Sequence, residues 1–432
     1  NGRTAIPANT QKEGIPAMNL IRRAGAVLTA SLMLLSAGCT KDTSSSAPGE
    51  AVVPAFTVPE HVLGEPSPLV PATVSADRYK LPESENVQCV RDLKLGWNLG
   101  NTFDATDVGS VTDEMDYESA WCGTVTKIEN IAAIKAAGFQ TVRIPVSWHN
   151  HVDEENHISE QWMARVKEVV DWCRACDLYV IVNTHHDIGE NGYYPDSANL
   201  ERSKAFLGAV WQQVADTFRD YDEHLILESL NEPRLADTAF EWSFSANSPE
   251  CRDAVNCINT LNQLFVDTVR AAGGRNETRY LLCPGYGAST DGLFSDGFAL
   301  PEDPAGRVIV SVHAYTPYHF ALDYPGTTVF STANPADTRQ IDNFMDDLYA
   351  KFVMNGIPVL IGEFGARNKD NLAERVQFAA YYTAAARARG ISCCWWDNNA
   401  FIGSGENFGL LSRGDSIFMY PEIVQALVRY CE

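Results

Sequence analysis

The chain has 432 residues, 45% of them hydrophobic, 21% charged and 10% aromatic, which is enough apolar material for one large core or two modest ones. Its 56 acidic side chains outnumber 33 basic ones, for a formal net charge of −23. That surplus argues against electrostatic binding to nucleic acid or to anionic membrane, both of which attract basic patches, and it leaves a neutral polysaccharide open as partner.

The first organised segment is an export signal. Met18 starts a stretch with Arg22 and Arg23, residues 24–35 are apolar, and Ser36, Ala37 and Gly38 precede Cys39. A basic start, a short apolar run and small residues make a signal peptide, and the run falls short of the roughly 20 apolar residues that span a bilayer. A cysteine just after the small residues resembles the lipobox of bacterial lipoproteins, whose lipid would anchor the mature N-terminus; cleavage nearby without a lipid is the alternative. Residues 1–39 are therefore read as upstream sequence plus signal. The expected location is the cell surface or outer membrane of a bacterium, or the medium.

Residues 40–85 begin TKDTSSSAPGE and carry scattered prolines, a composition expected of an extended tether. Cys251 and Cys257 lie close together in a stretch that reads as loop, and a local disulfide is expected there. Cys173 and Cys176 sit in a helical pattern without a second pair nearby, so buried thiols are favoured over a metal half-site. Cys393 and Cys394 read as small core residues on a strand.

From about residue 90 short apolar strands alternate with amphipathic helices. Strands are predicted at 93–98, 141–145, 179–184, 225–230, 279–283, 308–315, 359–364 and 392–396. Helices are predicted at 127–137, 161–175, 204–219, 258–272, 340–353, 372–389 and 421–431. The first of these has Ile128, Ile131 and Ile134 at helical spacing and Gly138 as its stop. Eight apolar, non-alternating strands imply a parallel sheet covered on both faces, and the α/β rhythm over residues 86–432 predicts a (β/α)8 TIM barrel as one catalytic domain. A doubly wound open sheet is the runner-up, but the glycine-rich dinucleotide fingerprint is absent.

Nearly every strand ends in a reactive or polar side chain: Asn98, Arg143, His185 with His186, Asn231 with Glu232, His313 with Tyr315, Glu363, and Trp396. In a barrel those ends converge on one face. One glutamate at the rim reads equally as a salt-bridged structural residue. Two, flanked by Arg, His, Tyr and Trp from other strands, suit glycoside hydrolysis, in which one carboxyl protonates the leaving oxygen and the other attacks or stabilises the sugar. Asn231 would donate to the sugar 2-hydroxyl. Arg143 and Tyr315 would hold Glu363, and His313 would support Glu232 or the substrate. Trp121, Trp148, Trp242, Trp395 and Trp396 would offer flat faces for pyranose rings, Trp396 in the catalytic subsite.

The stretches GWNLGNTFDA (96–105), GFQTVRIPVSWHNHVD (138–153), YVIVNTHHD (179–187), HLILESLNEPR (224–234), VSVHAYTPY (310–318), IPVLIGEFGARNK (357–369) and CWWDNN (394–399) together resemble glycoside hydrolase family 5, and most closely its subfamily 4. The resemblance implies Glu232 as acid/base, Glu363 as nucleophile, and Arg143, His185, His186, Asn231, His313, Tyr315 and Trp396 as supporting residues. It implies endo-cleavage of cellulose-type, mixed-linkage or xyloglucan β-1,4-glucan backbones with retention, by a monomer needing no metal or cofactor. Cys122 stands where the family pattern has glycine. Two other classes compete: a non-catalytic glycan-binding lipoprotein, and a metal-dependent barrel hydrolase using His185, His186 and Asp187. The second is disfavoured because adjacent strand residues point to opposite faces.

Overall fold

The eight apolar runs pair into one closed ring. In the computed structural model, which describes residues 53–432 other than Arg78, the strands are β1 (Leu95–Leu99), β2 (Thr141–Ile144), β3 (Tyr179–Asn183), β4 (Leu225–Glu228), β5 (Leu281–Pro284), β6 (Val308–His313), β7 (Val359–Phe364) and β8 (Ser392–Asp397). They follow one another around the barrel, all parallel, and β1 closes it by pairing with both β2 and β8. The doubly wound alternative is thereby set aside. Long helices such as Ile128–Ala137 and Leu372–Ala388 cover the outside, and Gly138 ends the first of these at φ 102°.

The barrel interior has two layers of opposite character. Its lower layer is apolar: Ile181, Ile226, Leu282, Ile309, Leu360 and Cys394 pack together, and Val90 and Leu93 plug them from below. The plug belongs to a helix, Glu85–Leu93, capped by Ser84, where the sequence reading had placed the end of a tether and the start of a strand. The upper layer is polar, and it contains the site.

Residues 53–84 correct the tether expectation over the part of it that is described. The chain there forms neither helix nor strand among its described residues, turning at residues 61–64 and 67–70, and it lies on the barrel. Val53, Phe56, Val62, Leu63 and Val70 pack against the core. Gln425 of the last helix, Pro421–Cys431, accepts from Ser67 N and donates to the carbonyls of Leu63 and Glu65. Tyr430 donates to Pro71 O. The signal segment and Cys39 lie outside the described residues.

The Cys251–Cys257 disulfide is also corrected. Both thiols are free and buried, because the helix there starts at Pro249 with Ser248 as its cap and runs to Ala271. Six residues along a helix separate two side chains by about 9 Å of rise, too far for a disulfide. Cys173, Cys176, Cys393 and Cys394 are free and buried as well. Among the described residues no helix is long and apolar enough to cross a membrane.

Candidate active site

Strand register assembles the upper layer. Asn98 of β1 pairs with Arg143 of β2 on one side and Trp396 of β8 on the other. On the far wall His313 of β6 pairs with Glu363 of β7 across a local shift in register. Gly362 gives the His313 ring room beside β7, since a Cβ there would lie 2.9 Å from His313 Nε2.

Arg143 is wholly buried at the centre and uses all three of its nitrogens. Nε donates to Glu228 Oε2 at 2.7 Å, Nη1 to Asn98 Oδ1 at 3.0 Å and Glu363 Oε1 at 2.9 Å, and Nη2 to Asn231 Oδ1 at 2.8 Å. Burial opposes its charge, but Glu228 and Glu363 outweigh burial and hold the guanidinium above its ordinary value. Glu228 is the residue that sequence reasoning missed. It stands within an otherwise apolar run, LILES, four residues before Glu232.

Glu363 also accepts from Tyr315 OH, through Oε2 at 3.0 Å. Burial and the neighbouring Glu363 push the Tyr315 phenol well above its usual range, so it remains a donor. Glu232, just beyond β4, places Oε1 2.9 Å from His313 Nδ1, which is also 3.7 Å from Glu363 Oε1. The two glutamates and His313 each bring one ligand-type atom within 4.8 Å of the others. Burial works against charge at both members of the Glu232–His313 pair. Their mutual hydrogen bond prevails, together with the Glu363 charge acting on His313, so Glu232 is lowered and His313 raised from their ordinary values. The pair thus retains one proton between them.

Trp396 and His185 face each other with planes 2° apart and centroids 5.7 Å apart. The indole fits because Gly100 has no side chain; a Cβ there would lie 2.7 Å from Trp396 Cη2. His186 is half-buried, with Trp121 at 5.6 Å between ring centroids. Trp121 and Trp242 are 41% and 66% exposed, so both have free ring faces, and Trp242 rests on Arg234 at 4.1 Å. Arg234 in turn donates to Glu232 O.

Two expected substrate contacts are corrected, Trp148 and Trp395. Trp148 is fully buried beneath the site and donates to Asn183 O. Trp395 is buried likewise and donates to Phe408 O. The alternation of β8 turns it outward into the helices while Trp396 turns in. Asn98 is fully enclosed, donating to Gly362 O and accepting from Arg143, so it braces the site without lining it.

The two histidines do not diverge as strand residues would. Strand β3 ends at Asn183, and beyond it the rings of His185 and His186 sit 4.5 Å apart, with Asp104 rather than Asp187 within reach of both. Asp187 instead accepts from Trp148 N, His149 N and His149 Nδ1. Asn183 fixes the His185 ring. Its Oδ1 accepts from Val146 N, so its Nδ2 is the end that donates to His185 Nδ1, and the His185 proton resides on Nε2. Burial and the adjoining His186 and Arg143 charges lower His185 far below its ordinary value, keeping it neutral. A metal at the Asp104 cluster would have to displace that Nε2 proton if it used the same nitrogen.

The model of the family described as cellulase, glycosyl hydrolase family 5, matches residues 104–402. Endoglucanase A of Clostridium longisporum is 42% identical over 345 residues, covering 79% of this chain and 65% of its own length, so the chain spans just under two thirds of that relative. Among solved structures, a mutant of a family 5 lichenase from a Caldicellulosiruptor species, in complex with cellotetraose, is 52% identical with a TM-score of 0.82, over 84% of this chain and 99% of that one. A broad-specificity endoglucanase of family 5, subfamily 4, from Clostridium longisporum is 40% identical with a TM-score of 0.74, over 83% and 99%.

Proposed function

Because the chain belongs to glycosyl hydrolase family 5, the cellulase family, we propose that it is an endo-acting β-1,4-glucanase of the subfamily 4 type that works with retention. The observation that carries this reading is the pair of carboxylates, Glu232 and Glu363, with an oxygen of each within 4.8 Å of the other. Retaining enzymes hold their two carboxyls about 5–5.5 Å apart, whereas inversion needs room for a water between them.

Glu363, held by Arg143 and Tyr315, is the nucleophile. Its oxygen bonds to the anomeric carbon as the glycosidic C–O bond breaks, and the leaving oxygen takes the proton that Glu232 shares with His313. In the second half Glu232 accepts a proton from water, whose oxygen displaces Glu363. Asn231 spends its Oδ1 on Arg143, which turns its Nδ2 outward as a donor for the sugar 2-hydroxyl. His185 offers Nε2–H beside it, and Trp396 supplies the stacking face. Trp121 and Trp242, both exposed, extend the binding surface.

The substrate is an unsubstituted or mixed-linkage β-glucan or xyloglucan. The enzyme acts as a monomer, exported by the signal at residues 18–39 and held at the bacterial surface by a lipid on Cys39. Reducing-sugar release from carboxymethylcellulose, barley β-glucan and xyloglucan, measured side by side, tests the activity and ranks the substrates. Glu363→Gln should abolish it on all three, and turnover by that variant would reject the assignment.

A further inference from the structure

We infer that Glu228 is a positioning residue for this reaction, a third glutamate that shares the Arg143 cation with Glu363 and sets the tautomer of His185. The inference rests on the reading of Glu363 as nucleophile. Glu228 is fully buried, so it cannot touch substrate and must act through its neighbours. Three strands donate to its carboxylate: Arg143 Nε of β2 at 2.7 Å, Asn183 Nδ2 of β3 at 3.2 Å and Ser311 Oγ of β6 at 2.6 Å.

The first consequence is geometric. A guanidinium is planar, so anchoring the Nε edge of Arg143 to Glu228 aims Nη1 and Nη2 at Glu363 and Asn231. The second is electrostatic. Without Glu228, a full buried positive charge would bear on the attacking carboxylate alone, binding its lone pairs more tightly and making it a poorer nucleophile. With Glu228 the cation is divided between two anions. The third runs through Asn183, whose amide bridges Glu228 and His185 Nδ1 and leaves the His185 hydrogen on the nitrogen 3.9 Å from Glu363.

The charged and titratable groups around Glu363 are Arg143, His185, Glu232, His313 and Tyr315, with Glu406 and Cys394 at longer range. Among the described residues Arg143 is the charged group of this set that hydrogen-bonds to Glu228, so a charge removed at 228 reaches Glu363 mainly through it.

The test is trapping with a dinitrophenyl 2-deoxy-2-fluoro-β-cellobioside. In that reaction a Glu363 oxygen bonds to C1 and dinitrophenolate departs with the electron pair of the broken bond, so no acid is needed. Glu228→Gln keeps the shape and removes the charge. Its limiting trapping rate should fall roughly tenfold or more while its affinity for the reagent stays near wild type, because the attacking carboxylate is bound more tightly but the sugar subsites are untouched. A purely structural role would weaken affinity along with the rate, and that outcome, or a folded Glu228→Gln with wild-type trapping, overturns the inference alone. A wild-type label on a residue other than Glu363 overturns the nucleophile reading, and this inference with it. If Glu228→Gln does not fold, Ser311→Ala removes one anchor of Glu228 and Ser311→Thr keeps the hydroxyl. The alanine variant should trap severalfold more slowly at unchanged affinity and the threonine variant should restore the rate; a wild-type rate for the alanine variant overturns the inference.

Discussion

His313 keeps its Nδ1 2.9 Å from Glu232 Oε1, and on the proposed reading this contact sets where the transferred proton resides. With the imidazolium in place the pair keeps its proton until pH passes the raised value of His313, above the ordinary 6.5. Without the ring, the proton belongs to Glu232 alone, a carboxyl raised by burial from 4.5 but no longer backed by an imidazole. In His313→Gln the alkaline limb of kcat/KM should therefore move to lower pH by about one unit or more. An unmoved limb, in a variant that still turns over substrate, would show that the proton is stored elsewhere.

Removing the acid should separate substrates by leaving group. Glu232→Ala should lose about 10²–10⁴-fold on polysaccharide, where the departing alkoxide needs a proton. A dinitrophenyl cellobioside should still form its glycosyl intermediate at nearly the wild-type rate, and added azide should speed release of the sugar. Equal losses on both substrates would contradict the role given to Glu232.

Gly100→Ala tests the seat of Trp396. The new Cβ would come within 2.7 Å of the indole and 3.0 Å of Asp397 O, so the ring must shift. Overpacking of this kind costs about 1–3 kcal/mol. KM for β-glucan should rise along with a lowered melting temperature. A variant with native affinity would mean that Trp396 does not line the subsite.

His149 predicts a pH-dependent stability apart from the chemistry. Burial disfavours its charged form, but Asp187 at 3.1 Å and Asp107 at 3.4 Å outweigh burial and raise its value in the folded protein. A raised imidazole binds its proton more tightly folded than unfolded. Its contribution is thus complete below about 6.5, the unfolded value, and is lost as pH rises through the folded one. The melting-temperature gap between wild type and His149→Leu should widen as pH falls from 8 to 6. A constant gap would exclude the linkage.

Much of this was legible in the sequence because a barrel obeys a positional rule: apolar runs become strands, and the polar residue at the end of each lands on one face. Arg143, Glu232, His313 and Glu363 were found that way, and the structure brings them within hydrogen-bonding reach of one another. Glu228 was not, because one acidic letter inside LILES offers no period of its own. Trp396 was singled out for the subsite, but Trp148 and Trp395 were not recognised as core, since Trp395 and Trp396 differ only in which way the strand turns them. The helix cap at Ser248-Pro249 was a readable signal that would have removed the Cys251–Cys257 disulfide. The packing of residues 53–84 was not readable, because proline-rich composition specifies an extended backbone and says nothing about what it lies against.

Gln425 has consequences for anyone trimming the protein. Its carboxamide ties the last helix to the irregular segment that precedes the barrel. A version begun at residue 86 would contain every residue of the proposed site, yet it would strip Ser84 from the plug helix and leave Gln425 and Tyr430 without their backbone partners. It would also uncover the apolar surface against which Val53, Phe56, Val62, Leu63 and Val70 pack. Such a version would be expected to aggregate on warming well before its chemistry failed.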